Sequence, residues 1–241
     1  PLPPVFIICF FMKKILSTIV FCVLVSHVSI AQNLQLHHDF RNTLYGSSLS
    51  KTNYITATFE MFKPDKYGST FMFVDFDFSG SKTNLGTIYA EIARDIKIDS
   101  FPVMPHIEYN GGIGSGFVID NAFLAGGSYN FDIGHFAFNT YLAYKLHTFE
   151  RLSHDIQWTL SWVADLLSDR LTVSGFVDVW TENLDRSSAI PDKKVIVLSE
   201  PQVWYNIFHN FSVGSEVKLS YNFLADRKFY VIPTLAVKYT F

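Results

Sequence analysis

Hydrophobic and polar residues alternate along most of this chain with a period of two. Near its end, Phe229, Val231, Leu235 and Val237 share one parity, while polar residues such as Lys238 take the other. Successive side chains of a β-strand point to opposite faces, so a strand built from this segment has one apolar and one polar face. An amphipathic helix would need a period of 3.6 residues, which these segments do not show.

Twelve segments carry this alternation, and we predict a β-strand in each of them. They lie at about 34–41, 53–63, 69–78, 85–98, 103–110, 119–131, 134–146, 154–166, 169–181, 195–206, 210–223 and 228–241. Many have 10–14 residues, whereas strands of globular proteins usually have about five or six. A tilted strand needs about 9–11 residues to cross a bilayer, so the lengths favour a transmembrane barrel.

The predicted connections alternate in length as well. Mostly longer ones follow the first, third, fifth, seventh and ninth strands, at 42–52, 79–84, 111–118, 147–153 and 182–194. The connection after the eleventh strand, at 224–227, breaks this trend. We interpret the glycine-rich stretch 111–116 as a flexible outer loop. Short turns on one side and long loops on the other are typical of outer-membrane barrels, whose short turns face the periplasm.

These patterns predict an all-β fold, a single antiparallel transmembrane β-barrel of about twelve strands. A soluble β-sandwich is the alternative, because it too would bury one face of each strand and expose a polar one. Strand length, a 17% share of aromatic residues and the final Phe241 favour the barrel. An even number of strands also lets the first and last pair antiparallel, which leaves no unpaired edge in lipid.

Four residues mark places where the strand pattern is disturbed. Pro105, Pro201 and Pro233 lie in or near predicted strands. Because proline has no N–H to donate, each predicts a bulge, a strand start or a locally broken pair. Arg94 falls on the outward parity, so either it lies at the periplasmic interface or a bulge shifts the register there.

Composition and charge exclude several classes of protein. The 241 residues are 49% hydrophobic and 17% charged, with a net charge of −3. A disordered chain would lack the aromatic residues, and a typical nucleic-acid-binding domain would be basic. Beyond residue 31 there is no apolar run of 18 or more residues, so a bundle of transmembrane helices is excluded as well.

The first 31 residues have the pattern of a secretory signal peptide. Met12 is followed by two lysines, an apolar stretch and the small-residue ending Ser29-Ile30-Ala31. We expect translation to begin at Met12, cleavage to follow Ala31, and residues 1–11 to be a wrongly assigned extension. A membrane anchor is the alternative, but the lysines interrupt its apolar run. The barrel would then occupy residues 32–241, and both cysteines would be lost with the leader.

If the apolar parity faces lipid, the polar parity faces the barrel interior. The predicted pore-lining or solute-binding residues are Glu60, Asp75, Asp77, Glu91, His106, Glu108, Asn110, Asp178, Glu200, Gln202, Trp204, Glu216, Lys218 and Lys238. Eight-stranded barrels are filled by side chains and 16-stranded porins hold a water channel, so twelve strands predict a narrow, partly filled pore. Alternatively, these charged side chains pair with one another and plug the barrel.

Several stretches resemble a family of Gram-negative outer-membrane proteins of uncharacterised function, which is similar to the Tsx-like nucleoside-specific channel-forming proteins. The stretches are FEMFKPDKYGST at 59–70, FVDFDF at 73–78, HIEYNGG at 106–112, SEPQVWYN at 199–206 and PTLAVKYTF at 233–241. The resemblance covers nearly all of the predicted barrel. It implies a 12-stranded barrel with a narrow polar pore.

We therefore predict a monomeric channel in the outer membrane of a Gram-negative bacterium, for passive diffusion of small polar solutes such as nucleosides. Acids and amides would hydrogen-bond a sugar, aromatic faces would stack on a base, and the excess of acids would disfavour anions. The alternative is a closed structural or adhesin-like barrel that acts through its loops 42–52 and 182–194. Expected partners are outer-membrane lipid and, through Phe241, the barrel-assembly machinery, but no nucleic acid polymer.

The sequence does not favour an enzyme. It contains no Gly-x-Ser-x-Gly motif. His37 and His38 are adjacent on a predicted strand and face apart, as are His154 and Asp155, so neither pair forms a site. We predict no catalytic residue, no metal ligand and no cofactor.

Overall fold

The computed structural model describes residues 31–148, 152–183, 185, 190, 192–224 and 228–241. In this part of the chain, thirteen β-strands form one sheet with antiparallel neighbours, and β13 pairs with both β1 and β12 to close it. The helix α1 (Arg41–Tyr45) lies between β1 and β2. The strands are β1 (Ala31–Asp39), β2 (Ile55–Asp65), β3 (Gly68–Asp77), β4 (Thr87–Ile96), β5 (Met104–Gly114), β6 (Phe117–Ile133), β7 (Phe136–His147), β8 (Ser153–Leu166), β9 (Leu171–Asn183), β10 (Lys193–Ser199), β11 (Gln202–Phe208), β12 (Phe211–Tyr221) and β13 (Phe229–Thr240).

Strands β10 and β11 are two halves of one strand. Both pair with β9, and the register is the same on either side of the break, from Ser199 opposite Val177 to Gln202 opposite Ser174. The break falls at Pro201, which has no N–H for the ladder. The protein is therefore a closed barrel of twelve strands with one strand interrupted. This confirms the predicted fold class, and the sandwich alternative is wrong.

Large apolar side chains cover the outside of the barrel. Leu142 exposes 54% of its surface and Leu235 exposes 63%, and Ile107, Ile156 and Val203 are also exposed. A soluble protein rarely shows so much contiguous apolar surface, whereas a barrel in lipid requires it. None of the helices within the described residues is long and apolar enough to cross a membrane.

The registers settle the position of Arg94. The ladders from β3 to β4 and from β4 to β5 run through Arg94 without a shift. Its guanidinium donates to both carboxylate oxygens of Asp65, at 2.8 and 2.9 Å, beside the short turn that joins β2 to β3. Short turns face the periplasm, so the first alternative is confirmed and Arg94 lies at the periplasmic interface.

Each of the three prolines disturbs its strand as expected. Pro105 is the second residue of β5, and Pro201 interrupts a strand. Beside Pro233 the ladder between β12 and β13 is broken at residues 215–216. There the Thr234 hydroxyl accepts from the N–H of Glu216 at 3.1 Å and lies 3.2 Å from the Glu216 carbonyl, to which it can donate. The side chain thus replaces missing backbone bonds.

The interpretation of 111–116 as an outer loop is wrong. Strand β5 continues to Gly114 and β6 begins at Phe117, so a two-residue turn of Ser115 and Gly116 joins them. A bulge between Asn110 and Gly112 also shifts the register there. Because glycine carries no side chain, it gives no alternation to read, and the end of the strand was invisible in the sequence. The other outer connections are longer, at 40–54, 78–86, 148–152, 184–192 and 222–228.

The predicted leader lies almost wholly outside the described residues. Strand β1 begins at Ala31, the last residue of that leader. The start at Met12, the cleavage site and the extension at 1–11 stay predictions.

We predict that Gly175→Ala lowers the temperature at which the barrel unfolds. A Cβ at position 175 would lie 2.8 Å from the carbonyl oxygen of Glu200 and from Cα of Pro201, and φ is +152°. Such strain costs about 1–3 kcal/mol. The readout is the temperature at which the folded band disappears from an SDS gel of samples heated in steps.

Gly116→Ala is the matched control for that variant. Gly116 also has a positive φ, +87°, but no atom lies within 4 Å of its added Cβ. A fall of the unfolding temperature in Gly116→Ala as large as in Gly175→Ala would contradict the role of crowding at the strand break.

Candidate functional site in the barrel interior

The registers place the predicted pore residues on one face of the sheet, apart from Glu200, which lies between β10 and β11. Directly paired residues share a face, and Glu60 pairs with Phe73, Phe73 with Glu91, and Glu91 with Asn110. The same chain of pairs continues around the barrel to the residues on β9 and on β11 to β13. Their role in solute binding stays a prediction.

Contacts that skip a strand identify this face as the inner one. His106 on β5 stacks on Tyr141 of β7, with ring centroids 4.0 Å apart. The Lys145 ammonium on β7 lies 4.5 Å from the ring centroid of Trp180 on β9. Side chains converge in this way only on the concave side of a curved sheet.

Hydrogen bonds fix the inner face of β5, β7 and β8. Tyr141 donates to Glu108 at 2.9 Å, and the Gln157 amide donates to Tyr141 at 2.8 Å. The Lys145 ammonium donates to Gln157 at 2.6 Å, and Asn110 donates to Glu108 at 3.1 Å. All five residues are buried. We call this side of the interior, the inward residues of β5 to β8, the packed wall.

His106 ties the packed wall to β4. Its Nδ1 lies 2.8 Å from Asp95 and its Nε2 lies 3.3 Å from Glu108. An imidazolium can donate from both nitrogens at once, which suits two carboxylates. Asp95 also accepts from Ser128 at 2.7 Å and from Asn139 at 3.2 Å. Four neighbouring strands are therefore held by one buried carboxylate and its histidine.

A second group of contacts surrounds Trp204, which is fully buried on β11. Its indole N–H donates to Gln202 at 2.9 Å, and Gln202 donates to Glu216 at 2.8 Å. The Lys238 ammonium lies 4.4 Å from the Trp204 ring centroid. Nearby, Lys218 and Glu200 form an ion pair at 2.8 Å. Glu200 lies at the strand break, where the backbone leaves the regular ladder.

The remaining predicted acids are only half-buried. They take one hydrogen bond each from a neutral neighbour: Glu60 from Asn33, Asp75 from Thr58, Asp77 from Thr56, Glu91 from Tyr89 and Asp178 from Thr159. A carboxylate has about four acceptor positions, so each keeps capacity for water or solute. We call these five residues the acidic row.

Sequence reasoning missed a cavity at the periplasmic end of the barrel. It measures about 570 Å³. Of its lining, only Lys238 was predicted; the other polar residues include Asp165, Asp169, Asn206 and His209. They lie at strand ends and turns, where alternation fades, so period-two parity gave no signal for them.

A cluster around Asp155 at the outer rim was also missed. The Asp155 side chain is fully buried and accepts from Ser153 at 2.6 Å and Thr181 at 3.0 Å. His147 lies 3.1 Å from Asp155, and Lys193 forms an ion pair with it. The predicted strand ended at residue 146, which left His147 outside the parity that would have revealed it.

This cluster does not have the arrangement of a hydrolase site. Ser153 donates to Asp155, so its proton is not directed at a histidine base, and His147 Nε2 lies 3.8 Å from Glu182. As expected, His154 faces away from Asp155, toward the Tyr144 hydroxyl. Within the described part of the chain, no group of three or more His, Cys, Asp or Glu residues could hold a metal ion.

We predict that Asp155→Ala destabilises the barrel. The variant leaves the hydroxyl donors of Ser153 and Thr181 without their acceptor, and leaving a buried donor unsatisfied costs about 1–3 kcal/mol. The unfolding temperature on SDS gels should fall, and Asp132→Ala, which removes an exposed carboxylate from β6, should leave it almost unchanged. Equal unfolding temperatures for the two variants would refute the assignment of Asp155 as the anchor of the rim.

Comparison with known proteins supports the fold. The NanC porin has a TM-score of 0.54 and 9% identity, covering 88% of this chain and 99% of that one. The KdgM porin in complex with disordered oligogalacturonate has a TM-score of 0.47 and 10% identity, with the same coverage. At such identities the likeness concerns the fold alone, and of these two structures only the NanC porin, with its TM-score above 0.5, supports it. A search of curated proteins finds no match.

Closed barrels with an apolar outer belt span the outer membranes of Gram-negative bacteria. The exposed apolar side chains on the outside of this barrel and its porin fold therefore place the protein in the outer membrane, as predicted. The family comparison covers the whole barrel: residues 31–241 match a domain of unknown function, DUF5020. The chain belongs to the DUF5020 family.

Proposed function

We propose that this protein is a passive outer-membrane channel for small polar solutes that are neutral or cationic, with nucleosides as the first candidates. The acidic row is the observation that carries the proposal. Five carboxylates share the inner face, and the hydrogen bonds that hold them come from neutral groups rather than from cations. Porins are among the proteins that share the fold.

The acidic row does not fit a barrel whose interior is filled with packed side chains and contains no water. Taking a carboxylate out of water costs several kcal/mol unless a cation compensates it, and several like charges on one face add repulsion. In the packed wall, Lys145 and His106 supply the compensating cations. The carboxylates of the acidic row are only partly buried instead, which fits an interior that holds water and counter-ions around them.

Three aromatic rings beside the acidic row suit a nucleoside. Phe71, Phe73 and Tyr89 follow one another on the inner face, with successive ring centroids 6.0 Å apart. Asp75 pairs directly with Tyr89. Aromatic faces stack on bases of any kind, and the carboxylates beside them accept hydrogen bonds from ribose hydroxyls. The resemblance to Tsx-like channels points in the same direction.

The second candidate is a closed structural or adhesin-like barrel that works through its outer loops. The packed wall favours it, because the inward residues of β5 to β8 fill their side of the interior with buried, hydrogen-bonded side chains. An enzymatic role is not proposed, since the rim cluster lacks a serine directed at its histidine. We further propose that the barrel works as a monomer and that Phe241 is read by the barrel-assembly machinery.

We predict that liposomes containing the purified barrel swell in isotonic uridine or ribose. Swelling in gluconate should be slower, because the acidic row repels anions. Protein-free liposomes are the control, and light scattering gives the rates. Rates equal to this control for every solute would exclude the channel and favour the closed barrel.

We predict that Asp75→Asn combined with Glu91→Gln lowers the cation-to-anion permeability ratio about twofold or more, because charges inside a low-dielectric wall dominate the local potential. The ratio follows from the reversal potential across a planar bilayer in a KCl gradient. Asp99→Asn removes an exposed carboxylate from the connection between β4 and β5 and should leave the ratio unchanged. The proposal of an acidic passage would not survive if the double variant kept the wild-type ratio.

A further inference from the structure

The connection between β1 and β2, residues 40–54, is anchored to the outer end of β13. The Tyr45 hydroxyl at the end of α1 donates to the carbonyl of Val231 and accepts from the N–H of the same residue, both at 3.1 Å. The Tyr45 ring also packs edge-on against Tyr230, with centroids 4.9 Å apart. This connection, which we call loop 1, is therefore attached to a strand of the barrel wall.

The first residue of α1 is held even more firmly. The Arg41 guanidinium donates to Asp39 Oδ2 through Nε at 2.9 Å and forms an ion pair through Nη2 at 2.8 Å, while the Arg41 backbone N–H donates to Asp39 Oδ1 at 2.7 Å. Its Cζ lies 4.7 Å from the ring centroid of Tyr54. The side chain of Arg41 is only 15% exposed. Carboxylate and ring fix the guanidinium in one orientation.

These contacts place the guanidinium at the outer end of the interior. Asp39 is the last residue of β1 and lies on the inner face, opposite Thr234. Arg41 interacts electrostatically with Asp77, the outermost member of the acidic row, and with Lys218. Burial and the charge of Asp77 raise the pKa of Tyr54 above its usual value, so its ring stays neutral beneath the cation.

We propose that Arg41 is the solute filter at the extracellular mouth of the channel, favouring neutral solutes rich in hydrogen-bond acceptors over small inorganic cations. The inference rests on the proposed function. The Arg41 charge compensates Asp39 and acts on Asp77, so the carboxylates at the mouth attract K⁺ less than they would without it. Guanidinium has five N–H donors, and Asp39 does not engage all of them, so others remain for the carbonyl and hydroxyl oxygens of a nucleoside.

The test uses Arg41→Ala in planar bilayers and in liposomes. We expect the cation-to-anion permeability ratio to rise about twofold or more, because a fixed positive charge is lost from the mouth. We expect uridine-dependent swelling to slow relative to ribose, because donors for the base are lost. Arg41→Lys keeps the charge and should keep the wild-type ion preference, while uridine swelling slows as in Arg41→Ala.

Lys51→Ala is the matched control, since it removes the same charge from an exposed position of the same loop. It should match the wild type in both measurements. If the wild type conducts and Arg41→Ala has the same ion preference and the same uridine swelling as the wild type, the filter is overturned and the channel stands. Silence of both the wild type and Arg41→Ala would overturn the channel itself. Current only in Arg41→Ala would make Arg41 a plug rather than a filter.

Tyr45→Phe keeps the test decisive if Arg41→Ala fails to fold. It removes only the hydroxyl that bonds to Val231, so it frees the end of α1 and leaves the contacts of Arg41 with Asp39 in place. Looser attachment of loop 1 should increase current fluctuations and shift the ion preference toward cations. Steady currents with wild-type ion preference in this variant would contradict a filter held by loop 1.

Discussion

The pairing of β1 with β13 is the contact on which the rest of the structure depends. Inside a bilayer each backbone N–H and C=O needs a partner within the protein, and an open sheet would leave two unpaired edges. The ladder from Asn33 opposite Thr240 to Asp39 opposite Thr234 removes both edges. Once the sheet is closed, the alternating side chains have one stable arrangement, with the apolar residues in lipid and the polar residues inside.

Closure also concentrates polar chemistry in a small space. Side chains on the concave face converge, so residues two strands apart come into contact, as His106 and Tyr141 do. The packed wall and the acidic row, whose residues lie on β2, β3, β4 and β9, accommodate this crowding in different ways. The packed wall pairs its charges with Lys145, His106 and amides and becomes rigid. The carboxylates of the acidic row are only partly buried, which a hydrated interior tolerates and a dry one does not.

Parity was sufficient to predict the strands and the face of the pore residues within them, because both depend only on a period of two. Strand length and aromatic content were needed as well to favour a barrel over a sandwich. It could not predict which inner residues touch, since the contact of His106 with Tyr141 depends on the curvature of the sheet. The glycines at 111, 112 and 114 hid the outer end of β5 because they carry no side chain to alternate. Arg41 lies outside the strands, where no period applies, so its place at the mouth was beyond sequence reasoning.

The break at Pro201 affects both the closure of the sheet and the charges of the interior. A proline in a transmembrane strand costs a ladder bond, yet the registers of β10 and β11 with β9 agree, so the barrel keeps its strand number and closure. The neighbouring Glu200 pairs with Lys218, whose charge also reaches Arg41. The irregular backbone, the ion pair and the anchored loop thus lie on one side of the interior, opposite the rigid packed wall. Selectivity in such a barrel would be set on that side, since the other is already occupied by its own hydrogen bonds.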